Sequence, residues 1–462
     1  MKVEQLYTNC LAEAAYYIES NGEAAIVDPL REYEPYIKKA VENGVKIKYI
    51  FETHFHADFV SGHIDLAAKT GATIVYGPNA ETSFKSHHAK DGEVFKIGNI
   101  SITILHTPGH TLESSTYLLK DEKEKPYCIF TGDTLFIGDV GRPDLAIKSE
   151  LTQEDLAGMM FESLHTKIFP LPDDVIVYPG HGAGSSCGKN MSSETWSTLG
   201  EQKKTNYALK TNSKADFIKE LTTGILPPPQ YFAKNAAMNK NGYSKIDDVI
   251  ASGNKALSLE EFDLAIKNGA LLLDVRTKEI FSAGFIPGSL FIGLEGTFAM
   301  WVGALITDLL QPIVLICPEG KEAEAVLRLA RVGYDNTVGF LKGGIETWKN
   351  AGRKLDNVES VTAEELSKLS PAHIIDVRKP GEYEAGHVEQ AISYPLDFIN
   401  DNLNDLHIGN KNYIHCKSGY RSVIAISILK KQGYTQLVDV LGGYGAIEKT
   451  NMKLVDVCTK NA

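Results

Sequence analysis

The sequence predicts a multidomain protein of the α/β and α+β classes, with one larger domain followed by two copies of a parallel-sheet β/α unit. Three observations carry this prediction. The chain has 462 residues, and at about 150 residues per domain that length asks for about three cores. Residues 1 to about 240 alternate helical stretches with short apolar runs that end in Gly, Pro, Asp or His. Beyond them the chain repeats itself: "LLLDVRTKEIFSAGFIPGS" matches "HIIDVRKPGEYEAGHVEQA", setting Asp274 over Asp376, and "VLICPEGKEAEAVLRLARVGY" matches "YIHCKSGYRSVIAISILKKQGY", setting Cys317 over Cys416.

Taken in order, "AAIVDP", "IKYIFET", "TIVYGP", "SITILHTPG", "CIFTGDTLF" and "VIVYPGHG" read as buried strands, and functional groups collect at such strand ends. "GILPPPQYF" (224–232) punctuates the end of the first domain, and the polar stretch 239–255 reads as a connector. Each later copy reads strand, loop, helix, strand ending in Cys, then helix, which implies parallel strands with crossover helices. The expected domains are 1–240, 255–353 and 357–462.

Hydrophobic residues make up 43% and charged residues 23% of the chain, as in an ordinary globular protein. The net charge of −12, from 47 basic and 59 acidic residues, argues against nucleic acid or an anionic membrane as partner. No apolar run reaches the roughly 18 residues of a membrane span. The opening "MKVEQLYTNCLAEAAYYIE" lacks the apolar core of a signal peptide, so a cytoplasmic location is expected. The six cysteines (Cys10, Cys128, Cys187, Cys317, Cys416, Cys458) form no C-x-x-C pair, which disfavours a zinc knuckle or a disulfide scaffold.

Six side chains at strand ends could hold metal: His54, His56 and Asp58 in "ETHFHADFVSGH", His110 in "TPGHT", Asp133 in "TGDTLF" and His181 in "YPGHG". This set resembles the metallo-β-lactamase superfamily over residues 1 to about 240. The resemblance implies an αββα sandwich with metal between the sheet edges. It also implies a first site of His54, His56 and His110, and a second of Asp58, position 59 and His181 bridged by Asp133. Position 59 is Phe, which offers no lone pair, so a dinuclear zinc hydrolase is disfavoured. Two His and one carboxylate with open positions are the ligand set of non-haem Fe(II) oxygenases, whereas zinc is redox-inert. The branch of the superfamily with this chemistry is the persulfide dioxygenases. By that resemblance one Fe(II) per chain would be held by His54, His110 and Asp133, with His56, Asp58 and His181 orienting ligands and water.

"GDVGRPDL" (138–145) resembles the G-R-x-D loop of that branch, and Arg142 there would pair with a carboxylate or phosphate of a thiol carrier. "PGHGAGSSCGKNM" (179–191) resembles the same branch. Cys187 within it, like Cys10, reads as a packed cysteine, with sulfur relay as the sharper alternative.

"IHCKSGYRSVIAI" (414–426) places Cys416 between a strand and a helix. Backbone N–H groups, Lys417, Arg421 and a helix N-terminus would favour its thiolate. Arg421 follows Cys416 after four residues, one fewer than a phosphatase loop needs, and the smaller ring suits sulfur. With Asp376, Arg378, Glu382, Tyr383, Gly386 and His387, this stretch resembles the rhodanese family over residues 357 to 462. The resemblance makes Cys416 and Arg421 catalytic and makes Lys417, Ser418, Gly419, Tyr420 and Ser422 substrate-binding. The first copy departs from the pattern: Glu322 stands for the Arg and Ala323 for the Ser, and Glu319 and Glu324 add negative charge. Cys317 is therefore expected to be non-catalytic and its domain a degenerate rhodanese that acts as a spacer, with a docking surface as the alternative.

Together the resemblances imply a persulfide dioxygenase fused to two rhodanese-like parallel-sheet domains. The expected partners are small thiol persulfides of the glutathione, coenzyme A or bacillithiol type, O2, sulfite and thiosulfate, with the chain in a homo-oligomer. Two alternatives stand beside this reading: a glyoxalase II-like thioester hydrolase with a sulfurtransferase tail, and a persulfide-carrying scaffold.

Overall fold

A computed structural model describes residues 1–144, 151–225, 227–369, 373–403 and 410–456. Leu145, Leu226 and Cys458 of the stretches above lie outside the described residues. The chain forms two compact units, one of Met1–Asp248 with Leu327–Tyr334 and one of Val249–Val326 with Asp335–Ala462.

The first unit has two six-stranded sheets. The first runs Lys2–Thr8, Glu13–Ser20, Glu23–Val27, Lys46–Glu52, Thr73–Tyr76 and His87–His88 in chain order; its first three strands pair antiparallel and the rest parallel. The second, from edge to edge, is Ser197–Thr198, Ile176–Pro179, Pro126–Gly132, Ser115–Lys120, Ile100–His106 and Val94–Ile97. Side chains alternate across a strand. Ala14, Tyr16 and Ile18 therefore enter the core between the sheets with Phe51, Ile102, Tyr117 and Phe130. From the same strand, Ala15 and Tyr17 face the opposite way, into a core with Tyr36, Ala40 and Leu66 of the helices Glu34–Glu42 and His63–Thr70. The second sheet is covered in turn: Ile129 and Val177 pack with Ala157, Met160, Phe217 and Leu221 of the helices Gln153–Ser163 and Lys214–Thr222. The layers are thus helix, sheet, sheet, helix, the αββα sandwich expected from the sequence. Strands buried on both faces explain why these runs lack a polar alternation.

The second unit holds two five-stranded parallel sheets of identical design. The first is ordered Ala256–Leu257, Thr337–Leu341, Ile313–Ile316, Leu271–Asp274, Leu290–Phe291. The second is ordered Glu359–Thr362, Leu437–Leu441, Asn412–His415, Ile374–Asp376, Ala391–Ser393. The sequence repeat is therefore a repeat of fold. In each copy the Cys follows directly on the central strand, where parallel strands present their C-terminal ends.

Candidate metal centre and sulfur-transfer loop

The six metal-binding candidates sit in loops at one edge of the sandwich. His54, His56 and Asp58 follow the strand Lys46–Glu52, His110 follows Ile100–His106, Asp133 follows Pro126–Gly132, and His181 follows Ile176–Pro179. Backbone bonds fix that edge: Gly180 N donates to Gly132 O at 2.8 Å within the second sheet, and Ala14 N of the first sheet donates across to Gly180 O at 2.9 Å. Glycine is required at both contacts. Gly132 has φ +47°, and a Cβ on it would lie 2.4 Å from Thr53 Oγ1; a Cβ on Gly180 would lie 2.8 Å from Asp133 Oδ1.

His54, His110 and Asp133 each turn one ligand atom into a common point, all within 4.8 Å of one another. His110 Nε2 is 3.4 Å and His54 Nε2 3.9 Å from Asp133 Oδ2. The far side of each ring fixes its tautomer. Thr53 Oγ1 donates to Asp28 Oδ2 at 2.9 Å, so its contact with His54 Nδ1 at 3.0 Å has the ring N–H as donor. His110 Nδ1 donates to Arg142 O at 2.8 Å and His181 Nδ1 to Ala12 O at 3.1 Å. All three Nε2 lone pairs therefore face inward, the arrangement that carbonyl and hydroxyl partners impose on metal-ligating histidines. His110 Nε2, His181 Nε2 and both Asp133 carboxylate oxygens are buried without a hydrogen-bond partner. Buried acceptors left unpaired are costly, and a cation at this point would satisfy all of them. The donor set fits a metal ion. Burial, reinforced by the neighbouring histidines, holds His54 well below the usual imidazole range and so keeps it neutral, as a ligand must be.

A second group lies alongside. His181 Nε2 is 3.3 Å from Asp58 Oδ2 and 3.5 Å from Asp133 Oδ1. His56, Asp58 and His181 also bring ligand atoms within 4.8 Å. Phe59 is fully buried, its ring centroid 4.4 Å from that of His56. His56 Nε2 points to Asp28 Oδ1 at 3.0 Å and to Glu52 Oε2 at 3.7 Å. Cys187 places its sulfur within 4.8 Å of ligand atoms of Asp133 and His181; burial, followed by Asp58 and Asp133, pushes its thiol well up.

Three groups that sequence reasoning passed over hold this loop in shape. Asp28 accepts from Thr53 N at 2.8 Å as well as from its hydroxyl. Glu113 Oε1 accepts from Phe55 N at 3.1 Å. Asn239, fully buried in the helix Phe232–Asn241, donates to His56 O at 2.7 Å and Phe59 O at 2.8 Å and accepts from Ser61 N at 2.9 Å. The Asp of "IVDP" at a strand end was a usable signal for the first; the other two carry none.

A cavity of about 510 Å3 opens beside the loop, lined by Phe55, Thr111, Glu113, Asp144 and Phe232 among others. Arg142 does not reach out into open solvent: its guanidinium holds Asp144 in a fork at 2.6 Å through both Nε and Nη2.

In the second unit Cys416 is buried at the end of Asn412–His415. Gly419 N donates to its Sγ at 3.1 Å, and Ser422 Oγ lies 3.8 Å from the sulfur while donating to Asp439 Oδ1 at 2.6 Å. The helix Tyr420–Lys431 begins at this loop, with Gly419 at φ 101° as its N-cap. Arg421 forks onto Glu382 at 2.5 and 2.9 Å, and Lys417 Nζ is 3.4 Å from Glu448 Oε1. Both cations of the loop are thus matched by carboxylates. In the first copy, burial, then Glu322 and Asp274, push the Cys317 thiol far up. That thiol is the opposite of an activated nucleophile.

Comparison with known proteins places this geometry. Residues 8–181 match the metallo-beta-lactamase superfamily, and residues 258–351 and 362–450 match the rhodanese-like domain. Two probable hydroxyacylglutathione hydrolases of Schizosaccharomyces pombe are 34% and 35% identical over 35% and 38% of this chain, which spans only 60% and 64% of their length. The mitochondrial persulfide dioxygenase ETHE1 of Homo sapiens is 30% identical over 45% of this chain and 74% of its own. A crystal structure of a metallo-beta-lactamase from Staphylococcus aureus subsp. aureus COL is 34% identical, with a TM-score of 0.65, and covers 74% of this chain and 98% of its own.

Proposed function

Because the chain belongs to the metallo-β-lactamase superfamily, with ETHE1-like relatives, and carries two rhodanese-like domains behind that fold, we propose that it is an iron persulfide dioxygenase coupled to a sulfurtransferase. One observation carries the reading. Phe59 fills the position of a second-metal ligand and is buried on His56, which leaves His54, His110 and Asp133 as a three-ligand group with inward lone pairs. A bound Fe(II) would supply the redox chemistry that joins O2 to a thiolate-borne sulfur. The overall change is RSSH + O2 + H2O → RSH + SO3(2−) + 2 H+.

The chain's own residues supply the surroundings. Thr53, Arg142 O and Ala12 O lock the histidine rings, and the cavity beside Phe55 and Phe232 is of a size to bury the carrier of a small thiol persulfide. His181, its Nδ1–H held by Ala12 O, turns its Nε2 lone pair toward Asp58 and Asp133 beside the three-ligand group. In the second unit the Cys416 thiolate attacks the sulfane sulfur of a persulfide or of thiosulfate. A Cys–S–S bond forms, and the carrier thiolate or sulfite leaves. Run toward sulfite, the same step makes thiosulfate.

The test is O2 uptake by Fe(II)-loaded protein given glutathione, coenzyme A or bacillithiol persulfide, with sulfite and thiosulfate assayed. Uptake with equimolar sulfur oxyanion is expected; no uptake with any carrier rejects the dioxygenase. Identity to the hydroxyacylglutathione hydrolases favours a second reading, thioester hydrolysis by a metal-bound hydroxide. Turnover of S-lactoylglutathione without O2 would establish it instead.

A further inference from the structure

We propose that Lys278, a residue of the degenerate copy, is a positioning residue for Cys416, acting through the peptide that joins Ser418 to Gly419. The proposal rests on Cys416 being the nucleophile. Lys278 Nζ donates to Ser418 O at 3.0 Å, and Gly419 N of the same peptide donates to Cys416 Sγ at 3.1 Å. In a trans peptide the C=O and N–H point in opposite directions. An ammonium on the oxygen therefore aims the N–H at the sulfur and polarises it toward the thiolate.

Gly419 is what lets the ammonium in. A Cβ there would sit 3.1 Å from Lys278 Nζ, and the residue has φ +101°. The degenerate copy grips the next residue too: Tyr420 OH donates to Gly293 O at 2.8 Å, and its ring meets Phe291 edge-on at 5.9 Å. A spacer needs no cation at its neighbour's nucleophile.

Charge accounting points the same way. Arg421 is matched by Glu382 and Lys417 by Glu448. Behind Ser422 stands the Asp439 carboxylate. Beneath the strand end, His415 Nε2 is 3.9 Å from Asp376 Oδ2, which Arg378 already holds at 2.6 Å. Lys278 lies 3.8 Å from the Glu279 carboxylate and also acts on the Asp439 carboxylate behind Ser422, and neither closes a fork on it. Its ammonium, set on the peptide whose N–H reaches the sulfur, adds positive charge where an anionic persulfide or thiosulfate would bind.

The experiment follows iodoacetamide alkylation of the Cys416 peptide against pH, by mass spectrometry on the full-length protein. Lys278→Met should move the midpoint up by about one pH unit and slow alkylation near neutral pH by up to about tenfold. Lys278→Arg, which keeps charge and donor, should restore it. The kcat/KM for sulfur transfer from thiosulfate to cyanide should fall in parallel in Lys278→Met. An unchanged midpoint in Lys278→Met overturns the proposal, as does a shift that Lys278→Arg fails to reverse. A merely structural contact would alter the melting temperature without moving the midpoint. If the wild type transfers no sulfur, the sulfurtransferase reading fails, and the alkylation profile still decides the role of Lys278.

Discussion

Phe59 and Asp439 show how single residues set the chemistry of the two units. Phe59 is inert, buried and packed at a tilt against the His56 ring, and next to it Asp58 and His181 already offer two ligand atoms. Phe59→His would add the nitrogen that this group lacks, so metal content measured by mass spectrometry should rise from one to two per chain. A stoichiometry that stays at one would show that something other than the missing lone pair limits the site. Asp439 is held up by burial, from 3.8 to about 6, despite the hydrogen bond from Ser422. Between those values the native state keeps a proton that the unfolded chain has released. The stabilising contribution is thus present at acid pH and is lost as pH rises through about 6, by about 3 kcal/mol. Asp439→Asn keeps an acceptor for Ser422 and has no proton to lose. Its urea midpoint should be flatter between pH 4 and 7 than the wild type's; equal slopes would assign that pH dependence to other groups.

At the scale of elements, what could be read from the sequence was what is local. Strand ends carrying His and Asp stood out because each apolar run stops at Gly, Pro or the ligand itself, and the six candidates do converge on one edge. Asn239 could not be read this way. It lies in a helix about 180 residues along the chain from the loop it clamps, and nothing in "FAKNAAMNKN" distinguishes it from a solvent-facing amide. Lys278 was hidden for the same reason, since its partner is a backbone carbonyl in the other copy. Asn239→Ala would strand two buried carbonyls and one N–H. At about 1–3 kcal/mol for each unsatisfied group, the first unit should lose several kcal/mol on urea unfolding and surrender its metal faster to a chelator. Metal release at the wild-type rate would mean that the loop holds its shape without the clamp.

For the whole molecule, the repeat announced two like sheets, but sequence adjacency could not say which core each helix end would join. Both rhodanese-like copies fall in one compact unit, while Leu327–Tyr334, from the first copy, falls with the sandwich. The cores of the sandwich draw on residues up to Leu221, and those of the two later sheets begin at Leu257. On the proposed function, two chemistries linked on one chain would share an intermediate at a high effective concentration. Cys416→Ser tests whether the two are separable. The substitution removes the nucleophile and leaves an isosteric hydroxyl on the N–H of Gly419, so sulfur transfer from thiosulfate should vanish. Metal content, which the proposed function assigns to His54, His110 and Asp133, should be unchanged, and O2 uptake with a supplied persulfide should persist with sulfite rather than thiosulfate as its product. Loss of metal in this variant would show that the units depend on each other for folding. Continued thiosulfate formation would show that another thiol carries the sulfur, and Cys187, whose sulfur lies near Asp133 and His181, would then be the next residue to replace.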